Sequence, residues 1–228
     1  MGSMLDCISR ALIIAPHPDD EVLGCGGTMM RLAQQGAQVH VAIVTKAGTD
    51  RFGPDVARIG RSEAREAHAL LQVARTHFID LPAAELDRVA HADMNAALGA
   101  LVTEVAPDTL FVPFIGDVHL DHQLTFLSAM VAARPRGGKG PQRIYCYETL
   151  SETNWYAPGI TPAFVPNVYV DISDALEAKV QAFNCYRSQV KQAPDERSPE
   201  VIRALACFRG ATVHRPAAET FMLIRQIE

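Results

Sequence analysis

Short apolar runs alternate with helical patterns through most of this chain, and that alternation leaves few folds open. Residues 11–14, 39–44, 78–79 and 109–112 are rich in β-branched, leucine and aromatic side chains and nearly uninterrupted by polar ones. Runs that continuous do not suit a sheet with one wet face; they read as parallel strands buried on both sides. Between them lie helical patterns at 21–35, closed by Gly36, at 62–73, at 92–105, before Pro107, and at 121–133, before Pro135. Strand and helix in strict succession predict helices on both sheet faces. The expected fold is therefore α/β, a Rossmann-like three-layer α/β/α sandwich around a mostly parallel sheet, in a single domain.

Beyond residue 140 the pattern is less regular. Strands are expected at 143–147 and 167–171. A helix should follow over 173–186, with Ser173 as its N-cap and Glu177 and Lys179 on its wet side, and a short helix should begin near Ser198. The tail, 220–227, is apolar enough for a strand or a helix, and its periodicity does not choose. The longest irregular stretches are 46–60 and 149–166; both follow strands on the presumed binding edge, where long loops are commonly functional.

The residues just after the first strand carry the chemistry. Pro16 to Thr28 read PHPDDEVLGCGGT, with an imidazole and three carboxylates in five positions. Acidic groups crowded at a strand end repel one another unless a proton or a cation is shared among them. A second polar cluster, Asp117-Val118-His119-Leu120-Asp121-His122, follows the strand at 109–112. Ligands in open α/β sheets bind beyond the carboxyl ends of the strands, so two such loops can face each other there. Two imidazoles and one carboxylate would satisfy a catalytic zinc ion, or another divalent transition metal, with a place left for water. His17, Asp20 and His122 are the expected ligands. Asp19, beside them, is then the expected base, taking a proton from activated water and returning it to a departing amine. Glu21 is expected to stabilise the turn.

The paired motifs in this order closely resemble the zinc-dependent N-deacetylases of the PIG-L or LmbE-like family. The likeness extends to Glu63, Leu70-Leu71, Asp80-Leu81-Pro82, Lys179 and Tyr186-Arg187-Ser188-Gln189, and so spans most of the chain from residue 11 to about 221. It implies the same metal ligands and the same base. It further implies that His119 assists in protonation or charge stabilisation, with Asp121 behind it as an orienting carboxylate. Members remove acetyl groups from glucosamine-type amines or cleave related amides. This chain departs from some of them at Asp117, where they place a Tyr that helps hold the oxyanion, and at Ala83 and Leu120, where Asp and Pro are common. On this resemblance residues 4–228 form one deacetylase domain holding one zinc ion per subunit.

Simpler readings compete for several residues. The first motif could merely cap a helix, and the second merely begin one; each is weakened by the presence of the other. Gly24, Gly26 and Gly27 lack the GxGxxG spacing, and carboxylates stand where a pyrophosphate would sit, so no dinucleotide site is expected. Cys25 reads as packing. Of Arg51, Arg58 and Arg61, the last is the chosen substrate contact. Trp155 and Tyr156 offer aromatic faces to a sugar ring, and His214 and Glu219 are candidates for the pocket rim. His40, His68, His77 and His91 read as structural.

Composition sets the outer limits. A formal charge of -5, with no Lys or Arg block, lacks the footprint of a nucleic-acid binder. Five scattered cysteines with no CxxC spacing point to reduced thiols and the cytoplasm. No run approaches the ~20 apolar residues of a membrane span, and Met1-Gly2-Ser3-Met4 reads as an expression remnant ahead of a natural Met4. The expected partner is a small N-acylated amino sugar, with a homo-oligomer compatible. The alternatives are an amidase acting on a larger conjugate and a metal-dependent binding protein without turnover.

Overall fold

The computed structural model describes residues 4–135 and 137–228; the proposed expression remnant, residues 1–3, lies outside them. Seven strands form one sheet: β1 (Arg10–Ala15), β2 (Gln38–Lys46), β3 (Arg75–Pro82), β4 (Thr109–Pro113), β5 (Arg143–Tyr147), β6 (Val168–Asp171) and β7 (Ala218–Gln226), in the order β3-β2-β1-β4-β5-β7-β6. The first five pair in parallel, while β7 runs antiparallel between β5 and β6. The expected three-layer α/β architecture is observed. Chain order reverses between β1 and β4, which are direct neighbours with Ala11 opposite Thr109. The loops following these two strands therefore open from one topological switch point.

The continuous apolar runs are explained by a sheet buried on both faces. Along β1, Leu12 and Ile14 enter one core and Ala11, Ile13 and Ala15 the other. The first core packs against α1 (Asp20–Gln34), α3 (Val56–Leu70), α6 (Leu176–Asn184) and α7 (Pro199–Ala211) through Met29, Leu32, Ala67, Phe183 and Ile202. The second packs against α4 (His91–Val105) and α5 (Leu120–Ala132) through Met94, Leu98 and Ala129.

Four expectations need correction. Residues 46–60 are not irregular throughout: they hold α2 (Thr49–Phe52), and α3 begins at Val56, earlier than 62. The first turn of α3 carries no apolar stripe because Val56, Ala57 and Gly60 face a cavity, not the core. Ser173 is not an N-cap; its hydroxyl and N–H both donate to Asp171 Oδ1, and α6 starts three residues later without a side-chain cap. Lys179 is not on a wet face, sharing the inward side of α6 with Val180 and Phe183. Its Nζ donates to Leu23 O at 2.8 Å and to Glu219 Oε1 at 2.7 Å. The helix near Ser198 is longer than expected at 13 residues, with Ser198 capping Val201 N. The ambiguous tail is a strand.

The glycines of α1 permit a close approach. A Cβ on Gly24 would stand 2.3 Å from the Tyr147 ring, and one on Gly27 2.7 Å from Ile172 Cγ2. Tyr147 cannot retreat easily: it is buried, and its hydroxyl donates to Ile14 O at 2.8 Å. Overpacking of this kind costs about 1–3 kcal/mol. Gly24→Ala should lower the thermal midpoint by several degrees. Gly99→Ala, whose Cβ meets nothing in α4, should leave it unchanged or raise it, because Ala is the better helix former; equal midpoints for the two variants would contradict this packing.

At the opposite strand ends, His40 Nδ1 and His77 Nε2 are 3.1 Å apart. Burial, then the charges of Arg10 and Arg75, lower the His40 pKa; burial and Arg75 likewise lower that of His77. A histidine held below its unfolded value binds fewer protons when folded, so its contribution to stability is present at neutral pH and declines below about 6.5. His40→Gln should therefore show a shallower loss of denaturant midpoint from pH 7 to pH 5 than the parent chain.

Candidate metal centre

The turn after β1 presents three consecutive carboxylates, and each goes a different way. Asp20 opens α1, and its Oδ2 accepts from His17 N at 2.8 Å. The same oxygen lies 3.3 Å from His17 Nδ1 and 3.2 Å from His122 Nε2. Ligand-capable atoms of His17, Asp20 and His122 all fall within 4.8 Å of one another. The structure thus brings together the three residues expected to hold a metal, from two loops far apart in sequence.

Their remaining valences test whether an ion belongs there. Asp20 Oδ1 and His122 Nε2 are both buried and neither has a hydrogen-bond partner. Buried polar atoms are normally satisfied, and here an acceptor and an imidazole nitrogen are left over side by side. Burial opposes charge at all three residues, yet His122 and His17 hold Asp20 well below the usual carboxylate range. The carboxylates in turn push His17 up to about 9 and His122 well above 6.5, against burial. The cluster calls for positive charge. The donor set, two imidazoles and a carboxylate, fits a divalent transition metal.

Both imidazoles are oriented by a further carboxylate. His122 Nδ1 donates to Asp117 Oδ2 at 2.8 Å, and Asp117 Oδ1 accepts from Thr153 Oγ1 at 2.5 Å. His17 Nε2 donates to Asp121 Oδ2 at 3.0 Å, and the same carboxylate accepts from Ala84 N at 2.7 Å. Asp121 was expected behind His119, and the structure corrects this: it is the Asp121 backbone N–H that donates to His119 Nδ1, at 3.1 Å. The correction has a simple cause. His119 is the N-cap of α5, so its ring folds over the helix start while the Asp121 side chain leaves from the first turn. Asp117, read from sequence only as a missing Tyr, is the support of a ligand.

Asp19 is buried beside the ligands, with φ 114°. Its N–H donates to Glu21 Oε2 at 3.2 Å, and its Oδ2 accepts from Arg197 Nη1 at 2.9 Å. Burial raises its pKa well above the usual value, partly opposed by Arg197. Glu21 does brace the turn, and does so from inside: its Oε1 accepts from His68 Nε2 and from the Tyr186 hydroxyl. Thr76 completes the chain at His68 Nδ1, 2.7 Å away. His68 is structural as expected, but it has a full set of partners.

A cavity of about 250 Å³ opens over this centre. His17, Asp19, His119, Glu63, Glu152, Gln189 and Arg197 line its polar side, while Phe52, Val56 and Phe78 form an apolar wall. Arg61 lines it too, paired with Asp80 and stacked 4.6 Å over Phe78. Two other expected contacts are not in the lining. Trp155 is 63% exposed and donates its Nε1 to Glu196 at 2.9 Å. Glu219 is buried elsewhere, 4% exposed and outside the lining, accepting from Lys179 and from Gly27 N and Thr28 N in α1. His214 is exposed and also absent from the lining. Sequence reasoning missed Glu152 and Arg197. Glu152 sits in the long loop after β5, which was flagged as a whole; Arg197, far along the chain in a charged stretch, gave no signal.

Comparison with known proteins agrees with this geometry. A diacetylchitobiose deacetylase of Thermococcus kodakarensis is 25% identical over 211 residues, covering 89% of this chain and 78% of that protein. A 1D-myo-inositol 2-acetamido-2-deoxy-alpha-D-glucopyranoside deacetylase of a Mycobacterium species is 26% identical over 272 residues, covering 97% and 85%. The N,N'-diacetylchitobiose deacetylase of Pyrococcus horikoshii, solved with an inhibitor, superposes with a TM-score of 0.77 at 26% identity over 96% of this chain and 85% of that one. The family model described as PIG-L, GlcNAc-PI de-N-acetylase, matches residues 12–133 and so takes in both motifs. By that match over more than half its length, the chain belongs to the PIG-L family.

Proposed function

We propose that this protein is a metal-dependent hydrolase that removes an acyl group, acetyl above all, from the nitrogen of an amino sugar or a sugar-like small molecule. The observation that carries the reading is the pair of buried, unpartnered atoms, Asp20 Oδ1 and His122 Nε2, grouped with His17, which lines the cavity together with the Asp19 carboxylate. The family and its named relatives, which act on N-acetylated sugars, support the substrate class. The five free cysteines support a reducing, cytoplasmic setting, and among the described residues no helix is long and apolar enough to cross a membrane.

His17, Asp20 and His122 would hold one zinc ion. When bound, it would polarise the amide carbonyl and lower the pKa of water toward ~7. Asp19 accepts the proton that water gives up as its oxygen attacks the carbonyl carbon. The carbon–nitrogen bond then breaks, and Asp19 returns that proton to the leaving nitrogen, so that acetate and a free amine result. His119 receives the Asp121 N–H at Nδ1, so its proton is on Nε2, the nitrogen available to donate to the carbonyl oxygen as charge develops there. Burial lowers the His119 pKa, which keeps that ring neutral near pH 7 and makes it a hydrogen-bond donor, not a cation. Arg61, which lines the cavity wall, is the proposed contact to the sugar.

Metal analysis and product detection test these roles separately. His122→Ala should lose bound zinc while retaining the parent far-UV circular dichroism. Asp117→Asn should weaken metal affinity about 10–100-fold, the usual effect of removing a ligand's orienting partner. Asp19→Asn should keep its metal and lose about 10²–10⁴ in turnover. Acetate release from a panel of N-acetylated amino sugars, followed by mass spectrometry, should require the metal and stop with a chelator; undiminished turnover in Asp19→Asn would exclude the assigned base.

A further inference from the structure

We infer that Arg197 is the positioning residue for Asp19, gripping one carboxylate oxygen so that the other is presented to the cavity. This rests on the hydrolase reading above. The guanidinium makes bonds in three directions: Nη1 to Asp19 Oδ2 at 2.9 Å and to Gln189 Oε1 at 2.9 Å, and Nε to Ser151 Oγ at 3.0 Å. Nη2 stands 3.9 Å from Glu152 Oε1. One planar group thus joins the turn after β1, the loop after β5 and the segment between α6 and α7. Asp19 Oδ1 has no partner among the described residues.

A purely structural ion pair would look different. The segment carrying Arg197 is braced without Asp19: Glu63 accepts from Ser188 N and Oγ at 3.0 and 2.6 Å, and Arg187 pairs with Glu66. Glu196 accepts from Ser151 N, Asn154 Nδ2 and Trp155 Nε1 at 2.8, 2.7 and 2.9 Å. The fold therefore does not need the Arg197–Asp19 contact to hold this segment. Two neutral acceptors, Gln189 and Ser151, fix the plane of the guanidinium, which mere charge compensation would not require. Lysine could supply the charge but not the rigid fork. A carboxylate held at one oxygen by such a fork has a defined direction at the other, and a misplacement of ~1 Å in a reacting group can cost about 10²-fold in rate.

The test compares the parent chain with Arg197→Ala, Arg197→Lys and Asp19→Asn on whichever N-acetylated sugar of the panel is turned over. Arg197→Ala should keep the parent metal content and far-UV circular dichroism, lose about 10²-fold in kcat and change KM little. Guanidinium added at millimolar concentration should restore part of that kcat, and should restore nothing in Asp19→Asn. Arg197→Lys, which keeps the charge should the alanine variant fold poorly, should still fall well below the parent in kcat. A kcat within twofold of the parent in either variant, or a rise in KM at constant kcat, would overturn the inference. No acetate from the parent chain would sink the hydrolase reading and this one with it, whereas parent turnover with an indifferent Arg197 sinks this one alone.

Discussion

Too much negative charge for one strand edge is the condition that organises this protein. Asp19, Asp20, Glu21, Asp117 and Asp121 are all buried within the same few turns of chain, and an uncompensated buried carboxylate is costly enough to unfold a domain of ordinary stability. Four of the five are paired with named hydrogen-bond donors. Arg197 takes Asp19; His68 and Tyr186 take Glu21; His122 takes Asp117; and His17 takes Asp121. Of the five, only Asp20 has an unpartnered oxygen that is itself wholly buried, and the atoms around that carboxylate are imidazole nitrogens. The place proposed for the ion is what remains when the other carboxylates have been paired.

The fold makes this concentration geometrically possible. Because β1 and β4 are adjacent and the chain order reverses between them, the two loops leave the sheet side by side and diverge above it. The turn after β1 must then reverse direction within three residues, and Asp19 bears the consequence at φ 114°. A non-glycine residue there stores strain on the order of 1–3 kcal/mol. It is over-determined by its surroundings: Val22 N and Leu23 N donate to its carbonyl, and its own N–H is held by Glu21. Gly24 and Gly27 let α1 lie close enough to Tyr147 of β5 and to Ile172, just after β6, for that first turn to stay put.

Much of this was legible in sequence, for reasons that also mark where legibility stops. Strands buried on both faces announce themselves by composition, so β1, β2, β4 and β5 stood out; β7 did not, because its inner half is buried and its outer half is not. The meeting of His17, Asp20 and His122 was readable because metal chemistry restricts the residue types proposed and the topology restricts where they meet. Lys179 was misread because a lysine on a helix normally faces water, and only tertiary packing reveals that Glu219 waits for it. Trp155 and Glu219 were assigned to the substrate on residue type alone, and type alone does not say that Glu196 or Lys179 has already claimed them. Arg197 was invisible for the converse reason: one arginine in a charged segment resembles a solvated surface.

The exchange of roles between Asp117 and Asp121 shows how much function hangs on such details. Spacing places Asp121 beside both His119 and His122, yet its carboxylate serves neither; it reaches back to His17, while His122 is served by Asp117. Each pairing orients a ring. His17 gives Nε2–H to Asp121 and turns Nδ1 to Asp20, and His122 gives Nδ1–H to Asp117 and turns Nε2 to the same Asp20 carboxylate. His119 differs in kind, because its lone pair at Nδ1 is already spent on the Asp121 N–H. An imidazole whose lone pair is spent cannot bind a cation without breaking the cap of α5; what it offers the cavity is an N–H. On the proposed reading, three histidines of nearly the same surroundings are thus divided into two ligands and one donor by which of their nitrogens the neighbouring aspartates have occupied.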